Sequence, residues 1–179
     1  DGKSWKISSY LLNPLNYIYF KFLEFFPIFI HNVIIGLSIW LLLWYLILWI
    51  FPLSLWWILG WIVLLIWSMF TIFFGYMTIG LLAFYTEDVE AFRFIYSKID
   101  MILGWNLIPI PFLPAMLQTI AFASPFAYFW YTTGLIFSSF EMLTFVKYLS
   151  IQMIWFIINL GICILMYNHA KKKLTINWW

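Results

Sequence analysis

Residues Phe25–Thr86 read FFPIFIHNVIIGLSIWLLLWYLILWIFPLSLWWILGWIVLLIWSMFTIFFGYMTIGLLAFYT, a stretch without Asp, Glu, Lys or Arg. About 20 apolar residues cross the roughly 30 Å of hydrocarbon in a bilayer, so a charge-free run of roughly 60 holds two crossings and is too long for one. The divider is Phe51-Pro52-Leu53-Ser54. Pro52 cannot continue a helix from the residues before it, and Ser54 can cap the next. The expected unit is a helical hairpin in lipid.

The rest of the chain agrees. Apolar residues make up 66%, aromatic residues 25% and charged residues 9%, outside the range of water-soluble domains. A polytopic, all-α membrane bundle is the expected fold class. The net charge of +2 carries little information, because the placement of Lys and Arg sets orientation. No nucleic-acid partner is expected. Cys163 is the only cysteine, so neither an intrachain disulfide nor a Cys-cluster metal site can form, and a small core thiol is the simple reading. The chain opens on Asp1-Gly2-Lys3, with no basic region followed by a short apolar one. We expect a fragment of a longer protein.

Ahead of the hairpin, Asp1 to Glu24 mixes Lys3, Lys6, Lys21 and Glu24 with Trp5, Tyr10, Leu11, Leu12, Tyr17, Tyr19 and Phe20, and Asn13-Pro14 divides it. It is too polar to span and suits headgroups or the surface of a protein partner. The first span is expected from about Pro27, tolerated in a first turn, to Phe51. His31 and Asn32 sit one turn inside it, either as a functional pair or hydrogen-bonded to a neighbouring helix. The second span runs from Leu53 to about Ala83. Ser68, Thr71, Gly75 and Thr78 recur on one of its faces, a stripe that lets another helix approach closely.

Thr86-Glu87-Asp88-Val89-Glu90 is an acidic cluster that reads as a helix start, with Thr86 as cap and three carboxylates at the positive end of the dipole. The helix, counted as the third of four spans, is expected to reach about Leu107. Glu90, Arg93, Ser97, Asp100 and Gly104 fall on a single stripe of it, flanked by Lys98, and that stripe must face protein or water. Beyond it, Pro109, Pro111, Pro114 and Pro125 break an uncharged segment that extends to Phe140. Two half-length helices are expected, Leu113–Ala123 and Pro125–Phe137, the alternative being one helix kinked at Pro125. The last span runs from Phe145 to Asn168, with Gln152 and Asn159 on one side for interhelical hydrogen bonds. His169 and Lys171-Lys172-Lys173 follow.

Four spans place both ends on one side. Lys3, Lys6, Lys21, Arg93, Lys98 and the tail lysines then oppose Lys147 alone, which puts both ends in the cytoplasm and opens the proline-rich segment outward. No Gly-rich phosphate loop, HExxH, GxSxG or Cys/His metal spacing occurs. Transport fits better than catalysis. An enzyme acting on a lipid through Asp100 or Glu90, a channel and a structural subunit remain as alternatives.

Gly2-Lys3, then Tyr10-Leu11-Leu12-Asn13-Pro14-Leu15-Asn16 just before a span, resembles the cytoplasmic loop of the membrane subunits of type-2 ATP-binding-cassette (ABC) exporters, where a gly-lys and leu-leu-x-pro stretch precedes the third transmembrane helix. Phe84-Tyr85-Thr86-Glu87-Asp88-Val89 with Phe92-Arg93-Phe94 resembles the loop leading into the family's fifth helix, and Pro109 to Pro125 its proline-broken external segment. The chain departs from the pattern at Ser4-Trp5, where an apolar residue and Asp are common. The resemblance covers about the last two-thirds of such a subunit, without its entry helix and first two spans.

It implies a permease subunit of the bacterial cytoplasmic (inner) membrane, itself not an enzyme, which pairs with a second permease, identical or different. ATP and Mg would sit on a separate ABC ATPase. Residues 1–26 would be the coupling segment, with Lys3, Trp5, Lys6, Tyr10, Leu11, Leu12, Asn13 and Pro14 on the ATPase and Glu87, Asp88 and Glu90 as a second contact. Arg93, Ser97 and Asp100 would line the path or the permease interface, and lipid would surround residues 27–179.

Overall fold

The computed structural model describes residues 17–48, 55–86, 89–104 and 106–176. Every regular element among them is helical. Two compact units, Asp1–Phe51 and Pro52–Trp179, make up the chain.

The first unit is a single described helix, α1 (Tyr17–Leu48), of 32 residues, about 48 Å at 1.5 Å per residue. It starts at Tyr17 rather than at Pro27, so Pro27 lies inside the helix and the Leu23 carbonyl loses its usual N–H partner. Lys21 and Glu24, paired at 2.6 Å, stand on the early turns. Further along, Ile34, Ile39 and Leu42 are exposed, as are His31 and Asn32. A helix apolar on all sides suits lipid.

The second unit runs α2 (Leu55–Leu81), a short 3-10 turn at Leu82–Phe84, α3 (Glu90–Leu103), a turn at Ile110–Phe112, α4 (Ala115–Ala123), a turn at Phe126–Tyr128, α5 (Tyr131–Ser138) and α6 (Met142–Ile176). Among the described residues three helices are long and apolar enough to cross a membrane, over Ile18–Leu43, Trp57–Leu81 and Met142–Ala170. The stretch Ala115–Ala123 followed by Phe126–Ser138 would be a fourth if taken as one element, but it is bent by 75°. α3 has 14 residues, about 21 Å, less than the hydrocarbon thickness.

α2 and α6 form the frame, and they run parallel. Gly60 meets Phe140 and Phe145, Ser68 meets Gln152, Gly75 faces Asn159 and Tyr85 stacks on His169, so sequence numbers rise together along both helices. The chain between them must therefore travel from the C-terminal end of α2 back to the N-terminal end of α6. It does so in pieces. α3 runs antiparallel to the second half of α2, with Arg93 over Gly80 and Tyr96 over Gly75 and Tyr76. α5 runs antiparallel to the first half, with Thr133 beside Ser68 and the Phe137 ring 5.2 Å from that of Trp61.

The small-residue stripe of α2 explains the close packing. Ser68, Thr71 and Gly75 are buried and Thr78 is half-buried beside the buried Cys163. A Cβ on Gly60 would come within 2.6 Å of the Phe140 ring, and one on Gly75 would collide with the Tyr96 hydroxyl. Only a residue without a side chain lets these aromatic neighbours sit so near the α2 backbone.

α3 departs from its expected start. The helix begins at Glu90 with Val89 as its N-cap, and no side chain caps it. Thr86 donates its hydroxyl backward to the Leu82 carbonyl at 3.2 Å, closing the end of α2 instead. Glu90, Arg93 and Lys98 of α3 are exposed alongside large apolar side chains. Phe94 and Ile95, 63% and 55% exposed, point away from the unit, whereas Asp100 turns inward. Lys98 lays its ammonium 5.1 Å from the centre of the Phe94 ring, one turn back toward the helix start.

Candidate functional site at the helix break

Prolines cost helices their hydrogen bonds, and buried backbone carbonyls need replacements. Around α4, at its start and at the break between it and α5, those replacements come from side chains. Gln118 donates to the carbonyls of Leu113 at 2.7 Å and Pro111 at 3.3 Å. Ser124 donates to Ala121 at 2.8 Å, and the Tyr128 hydroxyl to Phe122 at 3.0 Å. Ser124 is extended, at φ −112° and ψ 165°, as the residue before Pro125 has to be.

The Tyr128 carbonyl is the centre of this set. It accepts from the Gln152 amide of α6, from the Ser68 hydroxyl of α2 at 3.3 Å and from the Thr132 hydroxyl at 3.3 Å. Gln152 also donates to Ser68 at 3.1 Å, and Ser68 lies 3.4 Å from the Thr133 hydroxyl. Ser68, Thr132, Thr133 and Gln152 are all buried. Ser68 stands beside the midpoint of the apolar stretch Trp57–Leu81, so the break is fixed halfway along that stretch. The Gln152 side-chain oxygen is buried and accepts no hydrogen bond among the described residues.

Below this node the C-terminus of α3 approaches the same turn. Gly104 closes the helix by donating its N–H to the Asp100 carbonyl at 2.8 Å. The Asp100 Oδ1 atom is buried and has no hydrogen-bond partner among the described residues. Tyr96, one turn earlier, packs edge-on to Tyr76 at 4.9 Å and to Phe126 at 5.3 Å between ring centres.

The polar stripe of α3 is thus one stripe with two fates. Glu90 and Arg93 pair at 3.2 Å on the exposed end, and Ser97 donates to its own helix at the Phe94 carbonyl. Asp100 is drawn into the unit. Lys3, Trp5, Lys6, Tyr10, Leu11, Leu12, Asn13 and Pro14 lie outside the described residues, as do Glu87 and Asp88 and the Pro52-Ser54 divider. Asn159 departs from expectation: it donates to the Trp155 carbonyl within α6 at 2.9 Å, while Gln152 makes the link across helices. Tyr128 and Ser68 as node partners escaped the sequence, whose only hint was a Ser on the small-residue stripe. Among the described residues no group of three or more His, Cys, Asp or Glu could hold a metal ion.

Comparison of the chain with protein-family models, with curated proteins and with solved structures gives no match.

Proposed function

We propose that this chain is the permease subunit of a type-2 ABC exporter, with four crossings, the third begun by α3 and completed through the break by α5, both ends in the cytoplasm and the proline-broken stretch of α4 and α5 opening outward. The observation that carries the proposal is the Tyr128 node. A chain break held halfway along a crossing, with the Tyr128 carbonyl satisfied by Ser68, Thr132 and Gln152, is the arrangement that irregular backbone needs at membrane depth. Such breaks suit proteins that open and close a path. The residue pattern of Gly2 to Asn16 supplies the link to a separate ATPase and lies on the side where ATP is found.

The mechanism is alternating access. ATP closes the partner ATPases, the segment holding Lys3, Lys6 and Asn13-Pro14 passes a rigid-body shift to the helices, and α4 and α5 swing to release cargo between two paired permeases. This chain binds no ATP.

Affinity capture of the tagged chain from its own membranes should bring down an ABC ATPase. Reversing the charge at Lys3 and Lys6, or deleting Asn13-Pro14, should leave that ATPase active but uncoupled from export. Capture without any ATPase, or unchanged export and ATPase stimulation in the variants, would overturn the proposal. A lipid-modifying enzyme is the second reading, favoured by the buried carboxylate of Asp100. Turnover of a lipid by the purified chain alone would select it.

A further inference from the structure

Three oxygens converge on the side of Gly104 that carries no side chain. They are the Asp100 backbone carbonyl, the Asp100 Oδ1 atom and the Phe126 carbonyl; a Cβ placed on Gly104 would collide with the first and lie 3.0 Å and 3.4 Å from the others. All three are acceptors. The two carbonyls each accept one N–H, from Gly104 at 2.8 Å and from Phe129 at 3.2 Å, and a carbonyl oxygen has a second lone pair to offer. Asp100 Oδ1, buried, has no donor among the described residues. Among the described residues no hydrogen bond reaches that oxygen to offset its charge, and α3 ends here with its negative dipole end.

From this arrangement we infer that the Asp100–Gly104–Phe126 corner, where half-length α3 stops beside the helix break, binds a monovalent cation, either sodium or a proton. Oxygen ligands select a hard cation, and one carboxylate balances one positive charge. Helix ends interrupted halfway through a membrane are where transport proteins place such ions. Tyr76 from α2 and Tyr96 from α3 are the titratable groups facing Asp100, and both stay neutral at ordinary pH. The inference does not rest on the exporter assignment, because an ATP-driven permease and a channel can both hold a cation at this corner.

The test uses the full chain in lipid nanodiscs, with sodium chloride exchanged for choline chloride at constant ionic strength. If sodium is the ligand, it raises the thermal midpoint in a saturable manner and broadens the sodium NMR line, and both effects disappear in Asp100→Asn and in Gly104→Ala, whose methyl fills the corner. If a proton is the ligand, sodium has no effect, and a protonated-carboxyl infrared band is present at neutral pH, where ordinary carboxylates are ionised, in the wild type but not in Asp100→Asn. Glu90→Gln, on the exposed end of the same helix, leaves each response intact. The wild-type line width and infrared band need no variant to fold. Absence of both, or their persistence in Asp100→Asn, would overturn the inference.

Discussion

Gln152, in the first third of α6, donates its amide to the main-chain carbonyl of Tyr128, three residues beyond the proline that breaks the helix. One side chain thereby holds a turn of irregular backbone against a continuous helix. Ser68 reaches the same carbonyl from α2, so the break is tied to both members of the parallel frame.

Gln152→Leu removes that donor while keeping bulk. Because Ser68 and Thr132 still serve the Tyr128 carbonyl, the loss should stand nearer the modest values found for interhelical bonds in membranes, about 1 kcal/mol, than the roughly 3 kcal/mol of an abandoned polar group. Ser68→Ala should behave likewise. The double variant should lose more than the sum, since the carbonyl then keeps Thr132 alone. Steric trapping of unfolding in bicelles measures all three, and strict additivity would show that the two donors act independently.

Gly75→Ala should be destabilising because its methyl collides with the Tyr96 hydroxyl. Tyr96→Phe removes that oxygen, so the pair should recover most of the loss. The thermal midpoints of the four proteins in this cycle test it. Failure of Tyr96→Phe to rescue would place the clash elsewhere.

Arg93→Ala should cost little stability, about 0.5 kcal/mol or less, because its partner Glu90 lies three residues away on an exposed surface. Any larger defect in assembly or transport would then come from a partner chain or from headgroups rather than from this pair. Denaturation of the purified protein separates the two effects.

Pro125→Ala restores an N–H and frees Ser124 from its enforced extended conformation. α4 and α5 should then approach a continuous helix, with folding retained. Spin labels on exposed Met116 and Ser139 would report the straightening as a longer distance. An unchanged distance would show that the Tyr128 node, rather than the proline, maintains the bend.

Much of the architecture is legible in one dimension. The two long apolar helices within Phe25–Thr86 follow from the absence of charge, and the pair of short helices after Pro109 follows from prolines whose effect is local. Ser68, Thr71, Gly75 and Thr78 were recognisable as a contact face because small residues at helical spacing have one simple use in lipid. The start of α1 was not. Pro27 looks like a first-turn residue, and it takes a helix continuous from Tyr17 to show that the chain tolerates it inside. The start of α3 also misled, because Thr86 could serve either the helix before it or the one after.

The sequence by itself determined that these residues form apolar helices and where prolines interrupt them, since chain polarity and backbone sterics act between near neighbours. Only the tertiary structure decided that α3 and α5 pack in turn on the two halves of α2, that Gln152 rather than Asn159 reaches across, and that Asp100 ends beside Phe126. Those outcomes join residues far apart in the chain. A hydrogen bond or a shared cavity depends on which side chains packing brings within about 3 Å, a distance that no local pattern encodes.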